Sequence, residues 1–271
     1  MLQNNPNLAV LGFGNMGQAI IKGLLRKQIL TPEQIFIYDP DIEKQQTAKE
    51  LNIQIVQEIT TLMEKTKYLL IAVKPQIIQS ALEPIKSQIQ NDVRIISIAA
   101  GISINFYKTI LNQPNLRIIR TMPNTPALVG EGITAISLSP ECNENDKTLA
   151  QKIFESIGKI VFVPEEQINI ITAVSGSGPA YFYYLCEAII DAGKSLGLSE
   201  ETTLSLVEQT FYGSAVLLMK EKELPQQLRA RVTSKGGTTE SAVNIFETEN
   251  FKSIVNKAIY SAYKRAQELG K

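Results

Sequence analysis

The sequence predicts an α/β domain built on a mainly parallel sheet, followed by a wholly helical domain. Three observations carry that expectation. Across the first 163 residues, short β-branched runs alternate with amphipathic helical patterns, the rhythm of consecutive βαβ units. Beyond Pro164 the strand-like runs stop and long helical patterns take over. At 271 residues the chain exceeds the usual single domain and falls short of two large ones, so a large domain with a smaller one after it is the natural division. The boundaries read from this change are 1–164 and 165–271.

The strands are expected at 8–11, 34–38, 54–56, 68–73, 94–98, 117–121, 133–138 and 160–163. Leu69-Leu70-Ile71-Ala72-Val73 and Ile95-Ile96-Ser97-Ile98 are apolar without alternation, as befits strands covered by helices on both faces. Amphipathic stretches such as 16–27 and 42–51 supply the crossovers. In the second half, helices are expected at 179–196, 200–222 and 251–269. The first of these carries Tyr181, Phe182, Tyr183, Tyr184, Leu185, Ile189 and Ile190, so it is apolar around most of its circumference and must be buried on several sides. A domain of roughly 107 residues has limited surface to bury within itself. A second subunit is therefore expected to cover the remainder.

Composition narrows the chemistry. The chain carries 27 basic and 27 acidic side chains, and no Lys/Arg cluster is interleaved with aromatics, so a nucleic-acid partner is not expected. The opening MLQNNPNLAVLGFG lacks a cationic start followed by a long apolar stretch, and no later apolar run is of spanning length. That reads as a cytoplasmic protein without a membrane segment. Cys142 and Cys186 stand far apart without metal-ligand spacing and read as inert thiols in a reducing compartment. There is no histidine, which removes the commonest neutral-pH general acid and the commonest metal ligand. No metal is expected, and the chemistry falls to a cofactor, hydroxyls, lysines, carboxylates or backbone groups.

Gly12-Phe13-Gly14-Asn15-Met16-Gly17 follows the first strand and opens a helix, the setting a dinucleotide fingerprint requires and the mark of a Rossmann-like domain. Gly12 permits the tight turn, Gly14 lets the backbone approach a pyrophosphate, and Gly17 allows close helix packing, while the helix start offers free N–H groups to the anion. Asp39 ends the second strand, where an acidic side chain commonly accepts from the ribose 2′-OH. Asp39-Pro40 also fits a helix cap followed by proline. As a ribose contact, Asp39 would repel a 2′-phosphate and lean the preference toward NADH over NADPH. Val73-Lys74-Pro75 and Ala99-Ala100-Gly101 fall at the carboxyl ends of the next strands, where open α/β sheets bind ligands.

Five blocks in order then carry a family resemblance: Gly12 to Gly17, Val73-Lys74-Pro75-Gln76, Arg120-Thr121-Met122-Pro123-Asn124-Thr125-Pro126, Ala173-Val174-Ser175-Gly176-Ser177-Gly178-Pro179-Ala180-Tyr181, and Val232-Thr233-Ser234-Lys235-Gly236-Gly237-Thr238-Thr239. The first is generic to Rossmann folds, and the last three at this spacing are specific. Through them most of the chain resembles pyrroline-5-carboxylate reductase. The resemblance implies a Rossmann domain and an all-helical dimerisation domain, with helices interlocked between subunits and the active site at the dimer interface. It implies reduction of Δ1-pyrroline-5-carboxylate to L-proline, the last step of proline biosynthesis, by a homo-oligomer that is at least a dimer.

Carried onto this chain, the resemblance assigns the substrate carboxylate to Ser234 and to the N–H groups of Gly237 and Thr238. It makes Thr239 the catalytic hydroxyl against the ring nitrogen. Asn124, Thr125 and the Ser175–Pro179 turn are expected near the nicotinamide, with Asn124 counted among the cofactor contacts. Read from the residues alone, Gly236 and Gly237 free the backbone for an N–H concavity before a helix at about Glu240, an anion site that fits a carboxylate. Two departures stand out. The family usually has proline where Lys235 stands, so the loop is less rigid or gains a cation. Asp39 stands where members preferring NADPH carry a small polar residue.

A β-hydroxyacid dehydrogenase shares the two-domain plan but needs an acid/base group for the alcohol proton, commonly a lysine early in the long interdomain helix. Here no lysine follows Gly178 before Lys194. A non-catalytic dinucleotide sensor is the alternative of another class, and the intact substrate loop argues against it.

Overall fold

A computed structural model describes residues 7–270, and in it eight strands form one sheet in the order β3-β2-β1-β4-β5-β6-β7-β8. They are β1 (Leu8–Leu11), β2 (Ile35–Tyr38), β3 (Gln54–Ile55), β4 (Tyr68–Ile71), β5 (Arg94–Ser97), β6 (Arg117–Met122), β7 (Gly132–Leu138) and β8 (Gly158–Phe162). Each lies where the sequence places a strand, with ends moved by one or two residues at most. The expectation that no leader segment opens the chain rests on residues 1–6, which lie outside the described residues.

The parallel rhythm holds through β6 and then breaks. β7 runs antiparallel to β6, and β8 parallel to β7. The cause is the connection: β6 reaches β7 through the short 3-10 turn Thr125–Val129, closed by Gly130 at φ 81°. No helical crossover of a dozen or more residues is available there, and a parallel return needs one.

Both faces of the sheet are covered. Leu8 and Val10 of β1 face a core with Ile20 and Leu24 of α1 (Asn15–Arg26). Their neighbours Ala9 and Leu11 face a second core on the opposite side, which is the period-2 alternation with both sides buried. Next along the chain come α2 (Ile42–Glu50) and the short α3 (Ile78–Leu82). The second core takes in Tyr107 and Leu111 of α4 (Ile104–Leu111), whereas Phe154 of α5 (Glu144–Glu155) joins the first. Asn143 caps α5 by accepting from the N–H groups of Asn145 and Asp146. The buried Asp146 carboxylate in turn receives Arg94 Nε at 3.1 Å, which fastens the helix to β5.

By its contacts the chain divides into two compact units, one running to Ser177 and taking back the chain from Ala262, the other Gly178–Ser261. The change of sequence character at Pro164 and the change of contacts after Ser177 are thus different boundaries. Between them lie α6 (Ile168–Ile171) and a π-helical turn, Thr172–Gly176. This segment is helical like the second unit, yet side-chain bonds from Arg120 and Asn124 tie it to the sheet.

The second unit holds α7 (Gly178–Ser195), α8 (Glu200–Glu221), α9 (Pro225–Arg231), α10 (Thr238–Thr248) and the greater part of α11 (Phe251–Glu268). Gly197 at φ 102° ends α7, and Ser199 caps α8 by accepting from the Thr202 N–H. The two helices approach closely at Gly193, where a Cβ would lie 2.6 Å from Thr203 Cγ2. Phe182 and Phe211 meet at 5.5 Å between centroids. Much apolar surface remains uncovered within the chain: Tyr184 of α7 is 75% exposed, Leu218 of α8 43% and Ile254 of α11 56%.

Candidate active site

The fingerprint glycines form the turn between β1 and α1. Gly12 leaves β1 at φ 92°, and a Cβ there would fall 2.6 Å from Val73 Cγ1 and 2.8 Å from the Ala72 carbonyl oxygen. The turn therefore runs hard against the end of β4, at the point where the strand order reverses and open α/β sheets form their ligand crevice. Phe13 is fully buried and anchors the loop. Gly14 caps α1 with nothing near its open side, and Asn15 and Met16 begin the helix. Their N–H groups have no intrahelical acceptor and make the positive end of the helix dipole. Gly17 packs its backbone 3.2 Å, measured from a Cβ position, from the Gly12 carbonyl oxygen.

Asp39 is 5% exposed at the end of β2. One carboxylate oxygen accepts from the Phe13 N–H at 2.7 Å, and the other from the Asp41 N–H at 3.0 Å. Lys44 Nζ lies 3.6 Å away. The cap of α2 is Asp41, which accepts from the Glu43 N–H; Asp39 instead fastens the glycine loop to β2.

At the other carboxyl ends, Lys74 is exposed and precedes the 3-10 turn that opens with Pro75. Ala99 is held by its N–H on Ser97 Oγ, and Ala100 is half-buried. Gly101 has a use of its own: at φ 81° it admits the last turns of α11, with the Ala266 carbonyl oxygen 2.9 Å from where a Cβ would stand. Asn124, also buried, accepts from the Ile133 N–H at 2.9 Å and donates to the Ser175 carbonyl at 3.3 Å. It braces the π-helical turn against the start of β7.

In the second unit, Thr233 to Gly237 form the loop into α10. Gly236 stands at φ 75°, and its N–H donates to Glu240 Oε2 at 2.7 Å. The Gly237 N–H donates to the Ser234 carbonyl at 3.0 Å, and a Cβ on Gly237 would lie 2.6 Å from Ser234 Oγ. The amides of Thr238 and Thr239 open α10 without an intrahelical acceptor and form the anion-ready end. Lys235 is exposed on this loop.

Residues 165–269 match the family model described as pyrroline-5-carboxylate reductase dimerisation, and residues 7–101 match one described as NADP oxidoreductase coenzyme F420-dependent. Over 265 residues the chain is 37% identical to the pyrroline-5-carboxylate reductase of Haemophilus influenzae, with 97% of each chain covered. The chain belongs to the pyrroline-5-carboxylate reductase family.

Solved structures of the family agree. A pyrroline-5-carboxylate reductase from Coxiella burnetii superposes with a TM-score of 0.90 at 34% identity, covering 99% of this chain and 100% of its own. The Plasmodium falciparum pyrroline carboxylate reductase, with NADP bound, gives 0.89 at 33% identity and covers 98% and 99%. The resemblance carried by the five sequence blocks and the two-part fold are thus borne out. Sequence reasoning missed two side chains that organise the family's motifs here. Glu240 clamps the Gly236 amide, and Arg120, inside the third block, bonds Glu165 and Asn169. Arg120 had a visible signal, a charge within the apolar run Ile118-Ile119-Arg120-Thr121. Glu240 had none beyond its spacing from Gly236.

Proposed function

We propose that the protein reduces Δ1-pyrroline-5-carboxylate to L-proline with a reduced nicotinamide dinucleotide, completing proline biosynthesis. The observation that carries this reading is full-length family likeness joined to an intact substrate loop. The glycine cradle fits a dinucleotide, because the close approach at Gly12 leaves no place for a side chain and the α1 amides are unpaired within the helix. In this reading Gly12 to Gly17 hold the pyrophosphate, Asp39 the ribose, and Val73 to Pro75, Ala99 to Gly101 and Asn124 line the rest. When bound, the dinucleotide supplies hydride to the imine carbon. The Ser234 hydroxyl and the Thr238 amide hold the substrate carboxylate, while the Gly237 N–H, expected to join them, donates to the Ser234 carbonyl and shapes the loop instead. The Thr239 hydroxyl orients the ring nitrogen, which ends protonated as the secondary amine. A protonated imine is already electrophilic, so orientation and a dry pocket suffice without a histidine.

Thr239→Ala is expected to lower kcat for imine reduction on the order of tenfold to a hundredfold, with dinucleotide affinity unchanged. Turnover at the wild-type rate would remove Thr239 from the mechanism.

The same reading leans toward NADH, because the buried Asp39 carboxylate opposes a second negative group beside it. Asp39→Ser should move the ratio of kcat/KM values toward NADPH by roughly tenfold. It should also weaken both dinucleotides, since the Phe13 N–H loses its acceptor. A ratio that stays fixed while both affinities fall would leave Asp39 only its loop-fastening role.

The proposal includes a homo-oligomer, at least a dimer, whose active site needs both subunits, working in the cytoplasm without nucleic acid. Among the described residues, no helix is long and apolar enough to cross a membrane. The dehydrogenase alternative still lacks its early lysine in α7. Assay of pyrroline-5-carboxylate turnover with each cofactor decides between the reductase and a non-catalytic sensor.

A further inference from the structure

Arg120 places a full cation inside an apolar sheet. It follows Ile118 and Ile119 on β6, lies between Ser97 of β5 and Ser137 of β7 in the register, and is 3% exposed. A guanidinium is tolerated in such a place only when partners offset its dehydration. Its Nη1 donates to Glu165 Oε1 at 2.8 Å and its Nη2 to Asn169 Oδ1 at 2.9 Å. The same Glu165 oxygen accepts from the Ile104 N–H at 2.7 Å, at the positive start of α4. The Tyr107 hydroxyl of α4, raised in pKa by burial and influenced by the nearby Arg120 charge, shares a 2.6 Å hydrogen bond with Ser97 Oγ. That oxygen also receives the Ala99 N–H.

Through Glu165 the guanidinium reaches on one side the start of α4, the helix that follows Ala99 to Gly101. On the other, Glu165 and Asn169 precede and belong to α6, which runs directly into the π-helical turn Thr172–Gly176. Asn124 fixes the far end of that turn through the Ser175 carbonyl, so the turn is held at both ends from the β6 side. Single π-helical turns inside helices occur often at functional sites. Stability alone explains Arg120 poorly, because a well-packed apolar residue serves a buried position as well as an ion pair does. What the fork adds is a fixed angle: two donors on one planar group set the direction of α6 in a way that no apolar contact can.

We propose that Arg120 is a positioning residue for imine reduction, acting through Glu165 and Asn169 to aim the Thr172–Gly176 turn at the reacting ring. This rests on the proposed reductase function, in which Asn124 and the Ser175–Pro179 turn border the nicotinamide.

The test compares wild type with Arg120→Met, Arg120→Lys and Asn169→Ala, using pyrroline-5-carboxylate and a reduced dinucleotide carrying deuterium at the transferred position. In Arg120→Met and Arg120→Lys, kcat should fall roughly tenfold to a hundredfold, the deuterium isotope effect on kcat should rise, and the dinucleotide Kd should stay within about threefold. Asn169→Ala removes one prong and should show the same pattern to a smaller degree, so it decides the matter if the Arg120 variants do not fold. Wild-type kcat with an unchanged isotope effect in a folded variant overturns the proposal, and so does a loss confined to thermal stability. Failure of wild type to reduce the imine would instead overturn the functional reading on which it rests.

Discussion

Gly12→Ala is expected to abolish useful dinucleotide binding while leaving a weakened but folded chain. The new Cβ must adopt φ 92° and meets the Ala72 carbonyl oxygen at 2.8 Å, with Val73 Cγ1 nearer still. A left-handed backbone costs an ordinary residue about 1–2 kcal/mol, and overpacking adds about 1–3. That sum is a large part of a typical stability of about 5–15 kcal/mol. The carbonyl cannot rotate away as a side chain does, because the Ala72 N–H is held by the Leu11 carbonyl and β4 just before it is paired with β1 and β5. Relief must come from the loop, which shifts the α1 amides away from the pyrophosphate. A displacement of about 1 Å is enough to cost about a hundredfold. Titration of dinucleotide fluorescence and a thermal melt give the two quantities separately. Wild-type affinity in the alanine variant would mean that the cofactor does not use this turn.

The second large effect concerns the helical unit. Leu218 of α8 is 43% exposed within the chain, and if its face is covered by a partner, Leu218→Asp buries a charge without a counterpart. An uncompensated buried charge costs about 3–5 kcal/mol. A two-fold interface contains the substitution twice, so the dimer dissociation constant should rise by at least about a thousandfold. Sedimentation should show a single chain, and reductase activity should vanish with the dimer. A folded monomer at full turnover would refute the shared active site, and a persistent dimer would take Leu218 out of the interface.

The sequence exposed these positions unevenly, for physical reasons. Gly12 was legible because only glycine readily accepts that φ and that approach, and the helix start after it completed the fingerprint. The eight strands were legible because burial on both faces leaves an apolar run. The direction of β7 was not, since the period of side chains is the same in parallel and antiparallel strands; only the nine residues from Pro123 to Glu131 hinted at it. Asp39 offered two uses in sequence, a ribose acceptor or a helix cap, and its contacts add a third, the Phe13 N–H, that no spacing rule contains. The stretch from Glu165 to Ser177 looked like the start of the helical half because its pattern is helical. Its attachment to the sheet depends on side-chain bonds from Arg120 and Asn124, which reach 45 to 51 residues along the chain. In the substrate loop the glycines announced a concavity, while the return of Glu240 to the Gly236 amide needed the fold to bring them together.

The apolar faces left bare on α7, α8 and α11 also bear on what stability means for this protein. If the native state exists only as an assembly, unfolding releases separate chains, and its free energy contains the logarithm of chain concentration. Each tenfold dilution of a dimer then removes about 1.4 kcal/mol, the size of a substantial point mutation. The midpoint of a melting curve becomes a property of the solution as much as of the polypeptide, and in a cell the level of expression itself helps to set how much of the protein is folded.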